Sequence, residues 1–427
     1  MTKQRRPPLS PDARRVIAAQ ALRAFAYGFG ALLLGTTLKA RGLSSTEVGV
    51  VLACVVAGTI VMSLAVASWS DRVGRRRFYV GLYVTLAAAG AVFAFTANVV
   101  VLALVALVGV LSTDIVDNGP FTSLEQAMLA TDLARREQIR GFGLYNAVAA
   151  AAGSVGALAA RIPATVRHAW QSAPADQRYF LLFVPVAAAG AVVAATLSPA
   201  MEAPNRTEGQ GRSRLGRSRP TVVRLAGLFS ADAFGGGFVV QSFIAYWLAA
   251  KFHTSLSTLG LVFFAVGVLQ TVSFLVATRL AERFGLLSTM VFTHLPSNLL
   301  LAGIAFAPNL ATAVGLLLAR SLLSQMDVPT RQAYVMALVA PEERTAAAGY
   351  TNTARYVVRP FGPVLAGAGQ SLFVGLPFVA AGAVKSVYDL VLWRWFRTVP
   401  LPPEAETEVL ENPRPSAEPP ADERSRT

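Results

Sequence analysis

Apolar runs of about twenty residues recur along this chain, separated by short stretches of Arg, Pro, Asn and Gly. A helix rises ~1.5 Å per residue, so about 20 such residues cross a ~30 Å hydrocarbon core. The pattern predicts about twelve spans, near 16–38, 48–69, 78–96, 99–130, 141–160, 179–197, 221–250, 256–277, 286–307, 310–338, 345–367 and 371–396. The fourth carries Asn118-Gly119-Pro120 and is expected to continue through it with a proline kink; the tenth carries Pro329 near its end. The stretch 199–220 is rich in Arg, Gly, Ser and Pro, has no apolar period, and reads as a mobile linker. The expected organisation is a cytoplasmic N-terminal segment 1–15, a six-helix bundle 16–198, the linker 199–220, a second six-helix bundle 221–397 and a disordered cytoplasmic tail 398–427. The fold class is an all-α membrane protein of two pseudo-symmetric six-helix bundles.

An internal repeat supports the two halves. Aligning Gln126 with Gln332, an offset of 206 (332 − 126), also pairs Glu137 with Glu343, Gly143 with Gly349, Asn146 with Asn352 and Gly156 with Gly362, without a gap. The charged positions differ: Asp114 falls on Arg320, and Glu125 on Arg331.

Composition narrows the picture. Of the 427 residues 54% are hydrophobic and 15% charged, against ~25% charged for a soluble protein. The formal net charge of +14 raises nucleic-acid binding, but the Arg residues sit between apolar runs instead of forming one polar face. They read as topology signals: the loops near 70–77, 131–140, 199–220 and 279–285 hold several Arg each, which puts them and both termini in the cytoplasm. The dominance of Arg over Lys, with abundant Ala, Val and Gly, points to a GC-rich bacterial source. A lone Cys54 excludes an internal disulfide and a cysteine metal cluster. The N-terminal run lacks a cleavage site and reads as an uncleaved first span.

Six plus six spans, an interhalf linker and a charged loop between spans two and three resemble the major facilitator superfamily. The loop reads Ala67-Ser68-Trp69-Ser70-Asp71-Arg72-Val73-Gly74-Arg75-Arg76, with the Asp-Arg-x-Gly-Arg-Arg core complete and Ala67 where the family has Gly. A decayed copy, Glu282-Arg283-Phe284-Gly285, stands in the equivalent loop of the second half. The resemblance covers about 15–400 and implies the fold closely and the substrate hardly at all. In the family this loop latches the halves in the outward-facing state. That implies a gating set of Asp71, Arg72, Gly74, Arg75, Arg76 and Glu125, with Asp71 meeting a helix N-terminus of the other half and Glu125 pairing with Arg75 or Arg76. The plainer alternative is a loop that only sets topology.

Charges within the spans are the remaining chemistry. Asp114 and Asp117 lie one turn apart near mid-span, where an unpaired carboxylate costs several kcal/mol. They are candidates for proton coupling or, alternatively, for a structural pair with Arg23. Arg23, Tyr27, Asp232, Arg320, Asp327 and Arg355 are candidates to line a substrate cavity, and Arg320 and Arg355 suit an organic anion. The alternative is local pairing, of Arg320 with Asp327 and of Arg331 with Glu282. Gly235-Gly236-Gly237 follows no strand and precedes no Lys-Ser/Thr, so it offers no phosphate loop. His168, His253 and His294 are scattered and suggest no metal site; no cofactor is implied.

The expected function is a secondary transporter for a small molecule, working by alternating access and coupled to protons. The family's exporter motif of span five, Gly-Pro-x-x-Gly-Gly, is reduced here to Gly153-Ser154-Val155-Gly156, which tilts only slightly toward export. A ligand sensor on the same fold is the alternative of another class. No catalytic constellation suggests an enzyme. The expected setting is a cell membrane, as a multi-pass monomer in contact with lipid, substrate and protons but not nucleic acid.

Overall fold

The computed structural model describes residues 9–399, apart from 97, 109, 114–118, 133–134, 171, 173–175, 203–214, 217 and 340–342. Its helices are α1 (Pro11–Ala40), α2 (Ser45–Val73), α3 (Arg75–Phe95), α4 (Val99–Val108), α5 (Pro120–Asp132), α6 (Arg135–Ala159), α7 (Ile162–Ala169), α8 (Phe183–Ala195), α9 (Arg219–Gly237), α10 (Gln241–Phe252), α11 (Leu256–Phe284), α12 (Leu286–Ile304), α13 (Leu310–Leu323), α14 (Asp327–Leu338), α15 (Arg344–Val358), α16 (Phe361–Gln370) and α17 (Leu376–Phe396). No strand occurs among the described residues.

Local chemistry explains the helix ends. Ser10 caps α1 and Pro11 opens it, so the first span begins five residues earlier than position 16. Ser44 and Glu47 form a capping box on α2. The charged loop at 70–77 is hardly a loop: α2 and α3 run up to Gly74, whose φ of 98° makes the turn. Gly285, φ 82°, does the same between α11 and α12.

Nine helical stretches among the described residues are long and apolar enough to cross a membrane. The expected spans missing from that set are the fourth, tenth and eleventh, and each is built from two successive helices: α4 and α5, α13 and α14, α15 and α16. The expected kink at Pro120 is therefore a break. Residues 110–113 are not helical, Val110 adopts φ 47°, and Pro120 opens α5, where its missing N–H costs nothing. Under the 206 offset, α5 spans 326–338 (120 + 206, 132 + 206) and coincides with α14 to within one residue. Pro329 sits in the first turn of α14, the same start signal displaced by three residues. The seventh span also breaks, into α9 and α10, at 238–240.

Helices related by the repeat pack alike. α1 packs on α6, and α9 on α15. The repeated glycines allow a close approach in each half: a Cβ on Gly156 of α6 would lie 2.0 Å from the Phe25 carbonyl oxygen of α1, and one on Gly362, at the start of α16, would lie 2.4 Å from the Gly237 carbonyl carbon at the end of α9. The beginning of the linker is not free chain. Met201 is fully buried, and Glu202 accepts the backbone N–H groups of Arg75 (2.5 Å) and Arg76 (3.4 Å), capping α3.

Candidate functional site

Two buried charge clusters occupy equivalent places in the two sequence copies. In the first, Glu125 of α5 is fully buried and accepts three bonds: from Arg23 Nη2 of α1 (2.6 Å), Tyr79 Oη of α3 (2.6 Å) and Tyr145 Oη of α6 (2.5 Å). The Arg23 guanidinium also lies 4.8 Å from the Phe121 ring centre and 5.3 Å from that of Tyr27. Tyr27 donates to the Val110 carbonyl (2.5 Å), which braces the break in the fourth span. The expected pairing of Glu125 with Arg75 or Arg76 is thus corrected. Glu125 lies about two turns inside the end of α5 and faces α1, α3 and α6 instead of the loop.

The second cluster centres on Asp232 of α9, which is buried. Lys385 Nζ of α17 lies 2.5 Å from it, Arg331 Nη1 of α14 3.4 Å, Arg355 Nη2 of α15 3.7 Å and His294 Nε2 of α12 3.8 Å. Arg331 also bonds Asp327, one turn before it, at 2.6 Å. His294 Nδ1 lies 2.9 Å from Asp389 of α17, whose other oxygen accepts from Asn298 (2.8 Å). His294 stands eight residues into α12, about 12 Å along it, so the cluster is at membrane depth.

The two clusters are charge-swapped copies. Glu125 and Arg331 are related by the offset; the first pairs with Arg23 on the first span, the second with Asp232 on the seventh. In the first cluster the cation stands on α1 and the anion on α5; in the second the anion stands on α9 and the cation on α14. Two local pairings proposed from sequence are corrected by this arrangement: Arg331 turns inward to Asp327 and Asp232 instead of Glu282, and Asp327 takes Arg331, its neighbour at i+4, instead of Arg320. Arg23 bonds Glu125; the pairing suggested between Arg23 and Asp114 falls, like Asp114 and Asp117 themselves, outside the described residues.

Asp71, Arg72, Gly74, Arg75 and Arg76, the loop residues expected to gate, sit at the opposite end from the interhalf closure described next. Arg75 Nε bonds Asp71 at 2.9 Å within the same helix-turn-helix, and Arg76 Nη2 donates to the Ala195 carbonyl (2.9 Å). Asp71 and Arg72 are exposed and border a pocket of about 690 Å³ with Gly74, Arg76 and Glu202. At the far end the halves close. Lys39 donates to the Ala249 carbonyl at the end of α10, and Ser45 and Tyr246 hydroxyls meet at 3.3 Å. α2 and α16 touch where Gly49 faces Gly367; a Cβ on Gly367 would lie 2.2 Å from the Ser45 carbonyl oxygen. Between the two ends, Ser242 at the start of α10 donates its N–H to the Thr113 carbonyl (3.0 Å) in the break of the fourth span.

Sequence reasoning brought Arg23, Asp232, Asp327 and Arg355 into consideration and missed Tyr79, Tyr145, His294, Asn298, Lys385 and Asp389. A signal existed for four of them. His294/Asn298 and Lys385/Asp389 are polar pairs four residues apart inside apolar spans, and such pairs share a helix face. Tyr27 and Arg320 stand apart from the Asp232 pairs: Tyr27 serves the first cluster, and Arg320 is half-buried in the last turn of α13.

Comparison with known proteins agrees with this architecture. The chain is 25% identical to the uncharacterized membrane protein YJR124C of Saccharomyces cerevisiae over 418 residues, 90% of this chain and 93% of that one. It is 26% identical over 132 residues to the uncharacterized MFS-type transporter YceJ of Bacillus subtilis, 31% of this chain and 34% of that one. Among solved structures, a bacterial homolog of the human lysosomal transporter Spinster superposes with TM-score 0.69 at 15% identity, covering 93% of this chain and all of the other. The D-xylose–proton symporter superposes with TM-score 0.68 at 15% identity, covering 90% of this chain and 98% of the other. The sequence profile of the Major Facilitator Superfamily matches residues 16–363 and again 227–423. On that match over most of its length, the chain belongs to the major facilitator superfamily.

Proposed function

We propose that this chain is a secondary active transporter that carries a small molecule across a cell membrane by alternating access, with protons as the coupling ion. One observation supports it above the others. The halves meet through close backbone contacts at the Lys39–Gly49–Gly367 end, while Asp71 at the other end is exposed and bonded within its own half. With the termini and the Asp71 loop in the cytoplasm, this is a state closed outward and open inward. The exposed carboxylate is then free to meet a helix N-terminus of the second half when the inner side closes.

The coupling site in this reading is Asp114 or Asp117, at the level where the fourth span is interrupted. The test is reconstitution into proteoliposomes with an imposed pH gradient of either sign, following solute-dependent proton movement with an enclosed dye. Solute and proton fluxes that depend on each other are expected, and Asp71→Asn is expected to slow flux while ligand binding in detergent persists. Solute flux indifferent to the gradient would remove the proton from the mechanism. Binding and downstream activity untouched by Asp71→Asn, with no flux at all, would turn the reading to a ligand sensor.

A further inference from the structure

The cluster around Asp232 does not balance. Among the described residues three permanent cations, Arg331, Arg355 and Lys385, are paired with its carboxylates Asp232 and Asp327, Asp389 is held by His294 and Asn298, and a fourth cation, Arg320, stands at the edge of the cluster without a direct bond to it. With His294 neutral one positive charge is left over; with His294 protonated, two. The carboxylates in electrostatic range of Arg320 are Asp327 and Asp232, and both are already bonded to other cations. The buried Nε atoms of Arg320 and of Arg355 have no hydrogen-bond partner. A guanidinium has five donors in a fixed plane, so two such groups with idle donors form an incomplete site.

The position of Arg355 says where the missing partner enters. Its side chain keeps 29% of its surface accessible although it stands well inside its span, with one nitrogen turned toward Asp232. An arginine held at that depth against lipid costs at least ~3 kcal/mol, so the accessible part borders water. Arg320 stands one turn before the break between α13 and α14 at 324–326.

We infer that the space beside Arg320 and Arg355 binds a small oxyanion, a carboxylate or a phosphoryl group on the transported molecule, and that this ligand supplies the negative charge the cluster lacks. The inference rests on the transport reading above only in treating the bound anion as cargo. Paired hydrogen bonds from a guanidinium fit both oxyanions equally well, and a neutral isostere leaves the excess charge uncompensated. Arg331 and Lys385 are already engaged with Asp327 and Asp232 and hold the framework in place.

The experiment uses the full chain in detergent micelles, with its unfolding temperature followed by tryptophan fluorescence. The probes are benzoate, phenylphosphonate and inorganic phosphate, with benzamide and chloride at matched ionic strength as controls. A saturable rise in unfolding temperature with at least one oxyanion and none with benzamide is expected; benzoate against the two phosphorus compounds separates carboxylate from phosphoryl cargo. Arg320→Gln should weaken the response about 10- to 100-fold, the scale of one charged hydrogen bond. It should leave the ligand-free protein at least as stable as before, because it deletes a charge without a partner. Arg320→Lys, which keeps the charge but not the planar fork, should retain a weakened response.

A fixed carboxylate partner for Arg320, Asp114 included, would instead make Arg320→Gln strongly destabilising, and that overturns the inference. So does an equal response to benzamide, an unchanged response in Arg320→Gln, or no response of the unaltered chain to any oxyanion. Oxyanion binding absent while vesicles still move another solute overturns this inference alone. Binding retained in a chain that moves nothing overturns the transport reading alone.

Discussion

The Glu125 cluster makes the most quantitative prediction. Glu125→Gln keeps an acceptor for only one of Tyr79 and Tyr145, which bond different oxygens, and removes the charge opposite Arg23, which is only 2% exposed. Stranding one member of a buried pair costs about 3–5 kcal/mol. Tyr79→Phe removes one bond of 2.6 Å and leaves the ion pair intact. Hydrogen bonds between membrane helices average ~0.6 kcal/mol and reach ~1.7. The substitutions therefore differ severalfold although both touch the same carboxylate. The ring faces of Phe121 and Tyr27 are present in both states of the comparison and do not soften the loss. The double substitution Arg23→Met with Glu125→Gln removes both charges and their desolvation together, and loses less than the sum of the Arg23→Met and Glu125→Gln losses. Equilibrium unfolding in mixed micelles, with the SDS fraction as denaturant and helicity as signal, measures all four corners of the cycle. Glu125→Gln no worse than Tyr79→Phe, or a double variant equal to the sum of the singles, would refute the assignment of the buried pair.

Lys385→Met should be milder than Glu125→Gln in the same assay, about 1–3 kcal/mol, because Asp232 keeps Arg331 at 3.4 Å and Arg355 at 3.7 Å. A loss as large as that of Glu125→Gln would mean that Lys385 alone holds Asp232. Gly367→Val should prop the α2–α16 closure open, since even its Cβ would sit 2.2 Å from the Ser45 carbonyl oxygen. In a Cys54→Ala background, a Ser45→Cys probe should then react faster with a membrane-impermeant thiol reagent than it does with Gly367 in place; equal rates would show that the contact does not limit access.

The spans were legible because lipid imposes its own length scale: a run too apolar for water and long enough for the bilayer declares itself regardless of tertiary contacts. The breaks were less so. Pro120 and Pro329 were visible, but proline both kinks a helix and opens one, and only the packing around Val110 and Tyr27 selects the second outcome. The interruption at 324–326 contains neither Gly nor Pro, and nothing local announces it. The offset flags two charge mismatches, Asp114 with Arg320 and Glu125 with Arg331, yet it does not say which helix answers each charge. The partners of Glu125 and Arg331 lie 102 and 99 positions away, and direction around a helix axis at such separations is settled by packing. His294, read as one of three scattered histidines, gained its meaning only when α17 brought Asp389 beside it.

The bond from Ser242 to the Thr113 carbonyl joins the first half of the chain to the second through main chain on both sides. No side chain defines it, although the Ser242 hydroxyl reinforces it at 3.1 Å. Random substitution therefore passes it by: nearly any residue at 113 still presents a carbonyl, and every residue at 242 but proline still presents an N–H. Substitution can exchange the buried charges, as the difference between Glu125 and Arg331 illustrates, without touching this main-chain seam between the halves.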